Sequence, residues 1–97
     1  MKQTIKFGQR TAILERAKTV AILEITPNLP AIPLPMSFAE LADAINETEN
    51  VDVHTILSGR SKIAFTVGKG ISNTKLIDTI RDAISVVFDT DTVVCNE

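Results

Sequence analysis

The stretch that decides the fold is Thr19-Val20-Ala21-Ile22-Leu23-Glu24-Ile25-Thr26. Its β-branched and aliphatic residues favour a strand, and Pro27 ends it by fixing φ and removing a ladder donor. Alternation places Ala21, Leu23 and Ile25 on one face and Val20 and Ile22 on the other. A strand apolar on both faces belongs in the middle of a sheet.

Working outward towards the amino terminus, Thr11 to Glu15 echoes Val20 to Glu24, with Arg16 to Thr19 between them. That repetition predicts a hairpin whose second arm is the central strand, preceded by another short strand over Thr4 to Phe7. A helix over Thr11 to Lys18 is the rival reading, since Ala, Leu, Glu, Arg and Lys all favour one.

In the other direction, residues 27–35 hold all four prolines and no charge. Pro27, Pro30 and Pro33 fall three apart, the period of a polyproline II helix, so they share one side. Such a segment can dock a partner or a ligand. The plainer reading is a stiff connection that packs its Leu and Ile on the domain's own core. Ser37 with Glu40 then makes a capping box, Met36 can staple onto Leu41, and Phe38, Leu41, Ala42 and Ile45 form a helical stripe. The helix fades over Asn46 to Asn50.

Val51 to Leu57 and Lys62 to Val67 predict a second hairpin, turning at Ser58-Gly59-Arg60-Ser61. Val51, Val53, Thr55 and Leu57 line one face, with Asp52 and His54 opposite. A lone His without nearby acid, Cys or second His reads as a solvent-facing or interface residue, not a ligand or base. Gly68-Lys69-Gly70 precedes a helix start, a place where anions bind. It matches neither the Walker A nor the dinucleotide spacing, and turn chemistry explains the glycines. Ser72 or Asn73 caps the helix that follows. Leu76, Ile77, Ile80, Ala83, Ile84, Val87 and Phe88 form its apolar stripe, and it runs to about Phe88. Thr92 to Cys95 completes the chain as a short strand.

Ninety-seven residues make one domain: an arm over 1–18 and a core over 19–97. The net charge of −2 argues against a nucleic-acid footprint. No apolar run approaches the ~20 residues of a membrane span, and no hydrophobic region follows Met1 to Lys6, so neither membrane nor signal peptide is expected. The single cysteine, Cys95, cannot pair within the chain and lacks neighbours that would lower its pKa, so a cytoplasmic setting is expected. No catalytic set, metal ligand set or cofactor motif can be assembled, which argues against an enzyme.

The element order strand, helix, strand, strand, helix, strand, with right-handed crossovers, predicts an α+β, ferredoxin-like βαββαβ sandwich with an extra N-terminal strand or hairpin arm. Its open sheet face would carry Val20 and Ile22, and an exposed apolar face of that kind implies a homodimer.

Glu49-Asn50-Val51-Asp52-Val53-His54-Thr55-Ile56, followed after the turn by Ser61-Lys62-Ile63-Ala64-Phe65-Thr66-Val67, resembles the helix-to-hairpin passage of ACT domains. The aspartokinase-type members are the most similar, and the resemblance spans about residues 19–88. It implies a regulatory module that binds an amino acid or similar small effector at a dimer interface. The contacts it implies are Asn28 and Leu29 after the first strand, and Asn50, Val51 and Asp52 at the start of the second. The chain departs from the family where Pro-Gly normally precedes the helix, because its connection is longer and has no glycine. The alternative is a small interaction or assembly protein without a small ligand. It would dock a protein partner through the proline segment or the open sheet face.

Overall fold

A computed structural model describes residues 1–26, 35–57, 61–88 and 92–95. The strands are β1 (Lys2–Phe7), β2 (Arg10–Ala17), β3 (Val20–Thr26), β4 (Val51–Leu57), β5 (Lys62–Val67) and β6 (Thr92–Cys95). Helix α1 covers Pro35–Asn46 and joins β3 to β4; α2 covers Asn73–Phe88 and joins β5 to β6. The fold is α+β, as expected.

β2 is a strand along its whole length, so the rival helix over Thr11 to Lys18 does not form. It pairs antiparallel with β3 from Thr11↔Thr26 to Ala17↔Val20. Both hairpin turns contain a residue in the left-handed region, Gly8 at φ 56° and Lys18 at φ 59°. A primed turn of that hand matches the natural twist of the two strands.

The sheet has six strands in the order β4-β5-β3-β2-β1-β6, and every neighbouring pair is antiparallel. β3 lies inside it as anticipated, with β2 on one edge and β5 on the other. β3 and β4 run parallel with β5 between them, so β3, α1, β4 and β5 form a split βαβ unit. The departure lies on the other side of β3. A βαββαβ sandwich would seat its last strand there, yet β2 and β1 occupy those positions and β6 pairs with β1. Residues 1–18, expected as an arm, are therefore built into the sheet.

Both helices cover one face. Ile5, Phe7, Ala12, Leu14, Ala21, Leu23, Ile25, Ile63 and Phe65 from the strands meet Leu41, Ile45, Leu76, Ile80 and Ile84 in a single core. Phe7 and Phe88 close it near β1, with ring centroids 5.2 Å apart. Ser72 caps α2: its Oγ accepts the Lys75 amide at 3.1 Å, and its carbonyl takes the Leu76 amide at 3.0 Å. α1 opens at Pro35, two residues earlier than the expected Ser37 cap, because a proline in the first turn gives up only an amide with no intrahelical partner. The side chains of Met36, Ser37 and Phe38, and so the capping box and staple, lie outside the described residues.

In β4 the expected alternation ends at Val53. The register slips between Val53 and Thr55, so that Ile56, not Thr55, stands opposite core-facing Ile63. A bulge at His54 accounts for this, and Ile56 remains 41% exposed on this edge strand.

Ile80 is fully buried in the middle of the α2 stripe. Ile80→Ala should cost ~2–5 kcal/mol of folding free energy, a large share of what holds so small a domain together. Denaturant melts of the variant beside the parent measure it, and a loss below about 1 kcal/mol would contradict this packing.

Candidate functional site

Two surfaces offer candidate sites: the open face of the sheet and the end of the sheet where α2 begins.

On the open face, Val20 and Ile22 are 54% and 44% exposed. Glu15 stands opposite Ile22 on β2, and Ala64 and Thr66 stand opposite Ile22 and Val20 on β5. Two ion pairs border this strip, Lys2–Glu15 at 3.9 Å and Lys62–Glu24 at 3.5 Å. Asp52 lies across from Thr66 on the same face, exposed and without an ion pair among the described residues. The imidazole Nε2 of His54 is hydrogen-bonded to Thr66 Oγ1. That contact orients an exposed His on an edge strand, and no set of three metal-ligating residues exists among the described residues.

Of the five residues nominated from the sequence, Asn28 and Leu29 lie outside the described residues. The other three are at the start of β4. Asn50 adopts φ 67°, a left-handed conformation that asparagine tolerates. Its carbonyl accepts the Gly68 amide at 2.8 Å, while the Val51 amide donates to the Thr48 carbonyl at 3.1 Å. Val51 is buried and pairs with Val67. Asn46 Oδ1 takes the amide of Val53 at 2.9 Å. The backbone groups here therefore serve the fold, while the side chains of Asn50 and Asp52 are exposed. Asp52 is level with Val20 at the start of β3, whereas Thr26, the last described residue before Asn28, is at its far end. Six residue steps separate those ends, roughly 20 Å. Within one chain, the end of β3 that leads to Asn28 and the start of β4 that carries Asp52 therefore lie at opposite ends of the sheet.

Compared with known proteins, the chain matches no family model, no curated protein and no solved structure.

At the end of the sheet the organising group is Arg16, which sequence reading did not single out. Its Nε donates to the Lys18 carbonyl at 2.8 Å. Nη1 donates to the Ile71 carbonyl at 2.6 Å and to Asn73 Oδ1 at 3.0 Å, and Nη2 reaches the Gly68 carbonyl at 3.4 Å. The guanidinium thus ties the β2–β3 turn to the passage from β5 into α2. Its α2-side partners are 52 to 57 residues away in sequence, so no local pattern could have revealed them. Beside it lies an open cavity of about 400 Å³ lined by Met1, Arg16, Lys18, Ile71, Ser72 and Asn73. A second, of about 350 Å³, is lined by Arg16, Lys18, Thr19 and Lys69.

The two glycines of Gly68-Lys69-Gly70 have different reasons to be there. A Cβ on Gly68 would lie 3.0 Å from Asn50 Cβ, whereas one on Gly70 would meet nothing within 4 Å. Neither has a positive φ. Gly68→Ala should cost ~1–3 kcal/mol by forcing Asn50 away, and Gly70→Ala should stay within about 0.5 kcal/mol of the parent. Paired denaturation curves test this. Equal losses would mean that the approach of β4 to this turn is looser than described.

Proposed function

We propose that this chain is a regulatory module of the ACT kind, which pairs with a second copy through its open sheet face and holds an amino acid between the copies. In this reading β3 to β6 with both helices form a ferredoxin-like sandwich widened by the β1–β2 hairpin. The observation that carries it is that Val20 and Ile22 stand exposed on the same face as Asp52. The split βαβ unit over β3, α1, β4 and β5 supports it too, because it covers the residues that carry the resemblance.

The distance between the far end of β3 and the start of β4 fits a site shared between copies. A twofold axis lying in the open face and perpendicular to the strands would set the far end of one β3 beside the start of β4 in the partner, since the same patch is then presented twice in opposite directions. Asn28 then offers donor and acceptor groups, and Asp52 pairs with an α-ammonium group.

A second reading is favoured by the hydrogen bonds at the start of β4. The Asn50 carbonyl and Val51 amide are engaged within the chain, so an effector relying on them would have to displace native bonds. The module would then be an interaction or assembly protein without a small ligand, docking a protein through the open face or the proline segment.

Light scattering at tens of micromolar should show a dimer; a monomer would remove the shared site. Calorimetry against the common amino acids should give a saturable heat, and Asp52→Ala should weaken it roughly tenfold or more while leaving the dimer intact. No heat with any amino acid would leave the interaction module standing.

A further inference from the structure

We infer that Arg16, Lys18 and Lys69 form a binding site for a phosphoryl dianion, such as a phosphorylated small molecule, at the end of the sheet where α2 begins. Three cationic side chains, from the end of β2, the β2–β3 turn and the passage from β5 into α2, line the adjoining cavities of about 400 and 350 Å³. None of the three takes part in an ion pair among the described residues. This happens on a chain whose formal net charge is −2, so the local excess of positive charge is not a property of the whole surface.

Arg16 is what turns that excess into a site. Four of its five N–H groups are directed at three carbonyls and the Asn73 side-chain oxygen, all of them neutral. Its orientation is therefore fixed, its charge is uncompensated, and one N–H is left for a ligand. A guanidinium held in place before binding loses little freedom when an anion arrives, which is the condition for useful affinity from an exposed site. The assignment rests on the three cationic side chains and not on the start of α2.

The charge count selects the ligand class. A single carboxylate would answer Arg16 and leave both lysines unneutralised. A phosphoryl group brings ≈ −1.5 to −2 charge and three acceptor oxygens, which suits one guanidinium fork and two ammonium groups. The site is complete within one chain, so it stands independently of the shared amino-acid site proposed above.

The test is a titration of the full chain with inorganic phosphate and, separately, with phosphoserine, at low salt, followed by amide chemical shifts. Saturable shifts confined to residues 16–19 and 68–73 are expected with at least one of the two. Tighter binding of phosphoserine assigns the site to phosphorylated small molecules, and tighter binding of phosphate assigns it to the free anion. The double variant Lys18→Asn, Lys69→Gln should bind about tenfold more weakly or worse, with the spectrum otherwise unchanged. Asparagine is chosen at position 18 because it tolerates the left-handed φ there. Shifts that fail to saturate, that acetate reproduces equally, or that survive in the double variant would overturn the inference.

Discussion

The rest of the structure depends on the hydrogen bonding of β3 along both of its edges. β2 takes one edge over seven residue pairs and β5 takes the other over five. Those two choices set everything lateral in the fold. With β5 on one side, α1 must carry the chain over β5 to reach the outer position of β4. With β2 on the other, the last strand has no place beside β3. It is displaced past β2 and β1, which puts four strand spacings, about 19 Å, between β5 and β6. α2, at 16 residues, is roughly 24 Å long and can make that transit while its stripe stays on the sheet. The contact of Phe88 with Phe7 marks where the helix arrives over β1.

A sheet built this way has two junctions at the same end: the β2–β3 turn and the passage from β5 into α2. Arg16 bonds to both. The Val67 amide adds a second tie, donating to the Thr19 carbonyl at 2.8 Å. Charge-assisted bonds of this sort are worth about 1.5–3 kcal/mol each when partly buried, more than either surface ion pair on the open face can supply. The end of the sheet is therefore held by polar geometry, whereas the centre is held by the burial of Ala21, Leu23 and Ile25.

What could be read from the sequence was whatever has a period. The two faces of β3, the α2 stripe from Leu76 to Phe88, the β4–β5 hairpin and the closing strand all announce themselves through spacing of two or 3.6, and the structure has them. What could not be read has no period. The bulge at His54 is one residue out of step within a strand whose composition gives no warning. The pairing of β2 with β3 was legible as a hairpin, but that it would keep this edge of β3 and send the last strand to β1 is decided between a neighbour in sequence and the distant β6, and no local spacing reports that competition. Arg16 looks like any charged residue at a hairpin, and its role rests on oxygens more than fifty residues away. The nominated effector residues were legible only as a resemblance. Of the three that are described, Val51 is core and Asn50 is a turn residue whose carbonyl holds Gly68, so the local signal at Asn50-Val51-Asp52 has a structural cause of its own.

The open face and the sheet end also differ in what they require. Val20 and Ile22 expose apolar surface that water disfavours, but only a narrow strip of it, bordered by Lys2, Glu15, Glu24 and Lys62. Such a border contributes little affinity, since exposed ion pairs are worth ~0–1 kcal/mol each, but it penalises a misaligned partner by setting like charges against each other. Pairing through that face would draw its strength from the apolar strip and its alignment from the charges, and two copies are needed before either acts. The cations at the sheet end need no second copy, because the fold itself fixes Arg16 before any ligand arrives. The proposed pairing across the open face and the proposed anion capture at the sheet end therefore make separate demands, although β2 and β3 contribute to both surfaces.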